Sequence, residues 1–157
     1  MLRGGRIKRI PMRRKTRLRR HLKPIRAKKG KVTVKALDKL FSLFVRLSGA
    51  DKEGLVRCYT CPYVAHWKKI HAGHYISRWY KRTRWDENNV RPQCFSCNIW
   101  RKGNAVVFRH NLVDELGREL VEQMEKTARE MQKGFGSSAT IVPLIEKYKE
   151  KLSHLTQ

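Results

Sequence analysis

Four cysteines in two closely spaced pairs constrain this chain more than any other feature of its sequence. Cys58 and Cys61 are separated by two residues, and so are Cys94 and Cys97. Two intervening residues let a tight turn direct both sulfurs at one ion, and Zn²⁺ prefers four thiolates in a tetrahedron. Because four thiolates leave no coordination position for a substrate, the predicted zinc is structural and stabilises this segment.

The distance between the two pairs predicts more than a simple zinc ribbon. The pairs are separated by 32 residues, against about 15–20 in a ribbon, which indicates an inserted hairpin or loop clamped at its base. Four free core thiols or a redox pair are the alternatives. The sequence shows no secretory apolar region and no run that could span a bilayer. We therefore expect a cytoplasmic protein, where thiols stay reduced and ligate metals.

The charge balance predicts a polyanionic partner. The chain contains 37 Lys and Arg against 13 Asp and Glu, for a net charge of +24 at pH 7. Self-repulsion on this scale destabilises an isolated compact protein, and nucleic acid relieves it. Residues 1–32 contain no acidic residue, and we expect them to form a disordered arm that follows DNA phosphates. The DNA contacts predicted in this arm are Arg13, Arg14, Lys15, Arg17, Arg19 and Arg20.

The rest of the chain is predicted to form a zinc-containing domain over residues 33–133 and a C-terminal helix within 134–157. Thr33 is a suitable N-cap for a helix that ends near Ser48. Its apolar residues recur at helical spacing and are predicted core positions: Leu37, Leu40, Phe41, Phe44 and Leu47.

Further elements are expected on both sides of the second cysteine pair. We predict short strands over 55–57 and 74–77, a connection over 88–92, and a helix from Cys97 to Lys102. Beyond Asn104 we predict helix with one apolar stripe: Val107, Leu112, Leu116, Leu120 and Met124. Residues 134–138 should break it, and a last helix should open near Pro143. Its predicted apolar face is Leu144, Ile145, Tyr148, Leu152 and Leu155.

Polar residues around the cysteines follow a recognisable order. HAGHYISR (71–78) lies between the pairs, NNVRPQCFSCN (88–98) contains the second pair, and Asn98 directly follows Cys97. This order resembles the HNH (ββα-metal) endonucleases, and the fuller string is similar to the NinG/Rap family of lambdoid phages. The resemblance covers residues 36–125 and is specific from Cys58 to Asn104. It implies an α+β fold in which a small zinc-stabilised ββα-metal (HNH, treble-clef-like) core is flanked by helices.

The resemblance also implies roles for three polar residues. His74 matches the general base that takes a proton from the attacking water, and imidazole suits this task because its pKa lies near neutrality. Asn98 matches a position whose amide oxygen helps to hold a catalytic Mg²⁺ or Mn²⁺. Asn89 matches the middle position of the motif, whose side chain ties the loop and so orients the base.

One position departs from the general HNH pattern. Many members carry Asp or His directly before the base as a second metal ligand, whereas this chain has Gly73. Either His71, Asp86 or a neighbouring residue substitutes as the ligand, or the ion relies on Asn98, DNA phosphate and water.

Several arginines are candidate DNA contacts. Arg78 and Arg91 are candidates for a bidentate grip on the scissile phosphate, ordinary backbone binding being the alternative. Arg82 and Arg84 extend this basic stretch, and the adjacent Trp79 could stack on unpaired bases.

The favoured function is a structure-selective DNA endonuclease that hydrolyses branched recombination intermediates such as Holliday junctions and forks. Selectivity would come from the shape and flexibility of the DNA rather than from base-edge contacts. Paired cuts would suit a homodimer, with the carboxy-terminal helices as its interface. Other phage or host recombination proteins are expected as further partners. The alternatives are a non-catalytic zinc-finger nucleic-acid-binding protein, which has no reason to keep His74 and Asn98 in register, and a site-specific HNH enzyme.

Overall fold

The computed structural model of the chain describes residues 33–130 and 137–155. The predicted basic arm, and residues 134–136 of the predicted break, lie outside the described residues. The elements follow the order α1 Val34–Ser48, β1 Leu55–Arg57, β2 Val64–His66, β3 His71–His74, β4 Val90–Gln93, α2 Ala105–Leu116, α3 Arg118–Arg129 and α4 Ser138–Leu155. This mixture of helices and two small sheets confirms the predicted α+β class. In the described ranges, no helix combines the length and apolarity that crossing a bilayer requires.

Helix α1 begins at the predicted cap. The N–H of Ala36 donates to Thr33 Oγ1 at 3.1 Å, which satisfies one of the free N–H groups of the first turn. Of the predicted core positions, three are buried and two, Leu40 and Phe44, are half-buried. The buried face packs on α4 and on the segment before β4, in a cluster made of Leu37, Phe41, Val45, Trp85, Val90, Ile141, Ile145 and Tyr148.

Helix α4 begins at Ser138, so the predicted start near Pro143 is wrong. The main-chain oxygen of Ser137 accepts hydrogen bonds from the N–H groups of Thr140 and Ile141 at 3.1 and 3.0 Å. Ile141 is buried against α1. Burial of this side chain explains why the helix extends in front of the proline, which by itself favours a first-turn position.

Helices α2 and α3 correct the predicted apolar stripe. Of the predicted residues, Leu112 and Met124 are buried and Leu116 is partly buried, whereas Val107 and Leu120 are each 39% exposed. Phe108 and Val121 are buried in their place. Gly117, with φ of +87°, ends α2 and precedes α3. The break changes the helical phase, so that a stripe drawn through one continuous helix points to Leu120 rather than to Val121.

Two antiparallel hairpins form the sheets. Strand β1 was predicted, whereas β2, its partner, was not. The second hairpin pairs His71 with Gln93 and His74 with Val90. The strand predicted over 74–77 therefore lies at 71–74, and the connection predicted over 88–92 consists of a 3₁₀ helix, Glu87–Asn89, followed by β4.

A short helical turn of the π type, Ser96–Trp100, replaces the helix predicted from Cys97 to Lys102. It carries Cys97 and Asn98 and begins shortly after β4, and both β3 and β4 pack against α1.

Candidate metal centre and catalytic groove

The four cysteines converge where the turn between β1 and β2, which carries Cys58 and Cys61, meets the segment after β4, which carries Cys94 and Cys97. Their sulfurs all lie within 4.8 Å of one another. The Cys94 N–H donates to Cys58 Sγ at 3.2 Å, and the Cys97 N–H donates to Cys94 Sγ at 3.4 Å. Main-chain donors of this kind stabilise thiolates. The four sulfur ligands therefore fit a structural metal ion that prefers sulfur, such as Zn²⁺.

The surroundings of Cys58 favour its thiolate. Burial raises the pKa of this thiol, but hydrogen bonds from the Cys94 N–H and from Thr60 outweigh burial and lower the pKa to about 7. A sulfur with this pKa is largely ready to bind a metal ion at neutral pH.

A groove of about 740 Å³ lies between α1, β3 and the helical turn, and three of the residues predicted for catalysis or for the catalytic ion line it: His71, His74 and Asn98. Its rim is cationic, with Arg46, Lys68, Arg78 and Lys102 among the lining residues. Asp38 is the one carboxylate among the lining residues of the described chain. Such a groove is suited to a polyanion.

His71 and Asn98 face each other in this groove. Asn98 Nδ2 lies 3.2 Å from His71 Nδ1. Rotation of the Asn98 amide would place its oxygen there instead, since the two amide atoms occupy equivalent positions. An imidazole nitrogen and an amide oxygen at this separation can hold one divalent cation between them.

The ring of His74 is oriented by the main chain. His74 Nε2 lies 3.0 Å from the oxygen of Arg84. Because a carbonyl oxygen only accepts, Nε2 carries the proton and Nδ1 is the basic nitrogen. Burial lowers the pKa of His74, and the nearby Arg78 and Arg84 lower it further. The neutral, proton-accepting form is therefore favoured near pH 7.

An acidic residue of α1 supports this loop and was not singled out from the sequence. Asp38 accepts two hydrogen bonds from the Arg84 guanidinium, Nε to Oδ1 at 2.9 Å and Nη2 to Oδ2 at 2.6 Å. Trp85 Nε1 donates to the same Oδ1 at 2.9 Å. Burial alone would raise the pKa of Asp38, but these hydrogen bonds outweigh burial and lower the pKa. Asp38 thus anchors to α1 the residue that orients His74.

Asn89 ties the loop between β3 and β4. Its side chain is fully buried. Asn89 Oδ1 accepts from the Ile76 N–H at 2.7 Å, and Nδ2 donates to the oxygens of Ile76 and Thr83, both at 2.9 Å. These bonds span the segment that follows His74.

Packing explains why glycine precedes His74. A Cβ on Gly73 would lie 2.7 Å from Cδ and 2.8 Å from Cγ of Gln93. Gln93 is fully buried, and its Nε2 donates to Thr60 Oγ1 and to the Gly103 oxygen. No Asp or His fits at position 73 without displacing this side chain. Of the two substitutes expected, His71 lines the groove, whereas Asp86 caps the helix at 87–89 through the Asn88 N–H at 2.9 Å.

The candidate DNA-binding arginines occupy different environments. Arg78 lines the groove. Arg91 pairs with Glu115 at 2.8 Å and donates to the Glu87 oxygen, Arg84 pairs with Asp38, and Arg82 pairs with Glu130 at 3.2 Å. The six predicted contacts in the N-terminal arm lie outside the part of the chain that the structure describes.

Comparison with known proteins points to one family. The family described as Bacteriophage Lambda NinG protein matches residues 3–157. Protein ninG of Escherichia phage 933W is 30% identical over 95 residues, covering 59% of this chain and 44% of that protein. Protein ninG of Escherichia phage lambda is 30% identical over 95 residues, covering 59% of this chain and 43% of that protein. The chain thus aligns with less than half the length of these relatives. No solved structure matches it.

Proposed function

Because this chain belongs to the NinG family of bacteriophage proteins, we propose that it is a structure-selective DNA endonuclease that cleaves branched recombination intermediates. The reaction is metal-dependent phosphodiester hydrolysis. The observation that carries the proposal is that His71, His74 and Asn98 line one cationic groove. Residues that served only a zinc finger would have no reason to meet there.

His74 is the proposed general base. Its Nε2 proton is held by the Arg84 oxygen at 3.0 Å, which leaves Nδ1 to accept the proton of an attacking water. Its lowered pKa keeps it unprotonated at neutral pH. A base that is already neutral and oriented by a buried contact needs little rearrangement before the reaction.

His71 and Asn98 are the proposed ligands of a catalytic Mg²⁺ or Mn²⁺. The two ligand groups fit, because a ring nitrogen of His71 and the side-chain amide of Asn98 lie 3.2 Å apart in the groove. The ion would neutralise charge on the phosphoryl and leaving oxygens. Asn98 follows Cys97 in the helical turn, so the zinc cluster would fix its position. Asn89 would hold the loop that carries His74.

The groove cations would bind the phosphodiester backbone without reading sequence. Selectivity for a junction or fork would then follow from how readily branched DNA bends to bring a strand into the groove. Paired cuts would need two copies of the chain. Since the apolar face of α4 packs on α1, a homodimer would use other surfaces of the carboxy-terminal helices. Phage or host recombination proteins are proposed further partners.

The test is cleavage of end-labelled four-way, forked and linear DNA with and without added Mg²⁺ or Mn²⁺. Omission of the ion is preferable to chelation, because a strong chelator would also remove zinc. We expect cleavage of the branched substrates only, and its loss in Asn98→Ala. Asn88→Ala changes the same residue type outside the groove lining and should cleave normally.

Binding of branched DNA without cleavage under every ion condition would contradict the proposal. It would favour the non-catalytic zinc-finger alternative. Equal cleavage by Asn98→Ala and the native chain would remove Asn98 from the metal site.

A further inference from the structure

Three large apolar side chains are exposed on one short segment beside the groove. Phe95 is 47% exposed, Ile99 50% and Trp100 74%. The segment is the turn Ser96–Trp100 with the preceding Phe95, and it also carries Cys97 and Asn98. A cluster of exposed apolar groups next to a cationic groove indicates a ligand that is both apolar and anionic.

The rings are arranged in a row that starts inside the groove. The His71 and Phe95 ring centroids are 5.7 Å apart at an interplanar angle of 76°. The Phe95 and Trp100 centroids are 5.4 Å apart at 83°. Phe95 lies between Cys94 and Cys97, so the sulfur cluster holds the row in place. A row held in this way is a preformed surface.

We propose that Phe95 and Trp100 form a stacking platform for an unpaired nucleobase next to the phosphate bound in the groove. The inference rests on the proposed function and adds that the site would select DNA with unpaired bases. The base of a nucleotide lies one sugar away from its phosphate. A phosphate at His71 and Asn98 therefore brings the adjoining base to Phe95. Every base offers an aromatic face, so such stacking is sequence-tolerant.

Charge favours a nucleic-acid strand over a protein as the occupant. Arg101 and Lys102 follow the platform directly, and Lys68 and Arg46 line the groove beside it. A second copy of this chain, with a net charge of +24, would be repelled here, whereas a phosphodiester strand would be attracted.

The platform would select unpaired strands. In an intact duplex the faces of the bases are covered by their neighbours, so a base can reach the platform only where it is unstacked. Branch points and single-stranded ends supply such bases.

The test is binding of a short oligothymidylate and of a blunt linear duplex, both without added Mg²⁺. Trp100→Phe should keep most of the oligothymidylate affinity but lose much of the quenching of tryptophan fluorescence. Phe95→Ala combined with Trp100→Ala should weaken oligothymidylate binding by roughly tenfold or more and change duplex binding little. Trp79→Phe tests the stacking residue suggested by the sequence, an indole that is 83% exposed against 74% for Trp100. If Phe95 and Trp100 are the stacking site, this variant keeps the quenching.

Zinc content and circular dichroism establish that each variant is folded. An equal loss of duplex and oligothymidylate affinity, or quenching lost in Trp79→Phe rather than in Trp100→Phe, would overturn the platform. So would a changed sedimentation coefficient with unchanged oligothymidylate affinity, which would identify a protein interface. Because binding is measured without hydrolysis, this test of the platform does not depend on nuclease activity. Cleavage by Asn98→Ala tests the nuclease proposal separately.

Discussion

His74 Nε2 lies 3.0 Å from the main-chain oxygen of Arg84, whose side chain is held by Asp38 of α1. This relationship fixes the tautomer of the proposed base and connects it to the helix that forms one wall of the groove. The orientation of His74 is therefore set by the loop of its own hairpin and, through Asp38, by helix α1.

The pH dependence of cleavage follows from the lowered pKa of His74. The group must be neutral to act as a base, so kcat/KM should be constant above the usual pKa of 6.5 and should fall on acidification only below it. The measurement is kcat/KM for a four-way junction across pH, with DNA binding followed over the same range. An acidic limb centred above 6.5 would contradict the assignment.

Asp38→Asn tests the positioning role of Asp38. The charge of Asp38 raises the pKa of His74, so its removal should move the acidic limb to lower pH. Loosening of the Arg84 loop should also reduce kcat by about tenfold, because a misplaced base acts less efficiently.

Asp114→Asn removes an exposed carboxylate on α2 and serves as the control. A reduced rate with an unmoved acidic limb would indicate a general structural effect of Asp38 rather than an action through His74.

The zinc cluster should be required for the fold. We expect one zinc ion per chain by mass spectrometry under native conditions, and its loss in Cys61→Ser. The melting temperature should then drop by at least about 10 °C, since each kcal/mol corresponds to about 2–4 °C in a chain of this size. Ser96→Ala, which changes a residue between Cys94 and Cys97, should keep the ion. Unchanged melting of Cys61→Ser would show that the cysteines do not stabilise the fold through a metal.

Gly73→Ala should destabilise the protein, because the added Cβ meets the buried side chain of Gln93. Overpacking of this kind costs about 1–3 kcal/mol in the free energy of unfolding. Urea unfolding of Gly73→Ala, Gln93→Ala and the double variant should show that the double variant loses less than the sum of the single losses. Strictly additive losses would exclude the contact as the reason for glycine.

Local patterns predicted the features that depend on short stretches of sequence. The C-x2-C spacing indicated a metal cluster, and Thr33 with the following apolar spacing predicted α1. In both cases the residues that determine the structure lie within a few positions of one another.

The remaining features depend on contacts between distant segments. Residues 88–92 were predicted to form a connection, yet β4 occupies Val90–Gln93 and pairs with β3. Each strand of a two-stranded sheet is an edge, where Pro92 is tolerated. The Asp38–Arg84 pair joins residues 46 positions apart. The 3.2 Å approach of His71 to Asn98 likewise joins residues 27 positions apart.

The most direct test of His74 as the general base is single-turnover cleavage of a four-way junction by His74→Ala at saturating protein and Mg²⁺, with junction affinity measured in parallel without the ion. We expect that cleavage is lost while the affinity changes little, because His74 would act on water and not on the DNA backbone. Cleavage by His74→Ala at the rate of the native chain would contradict this role of His74.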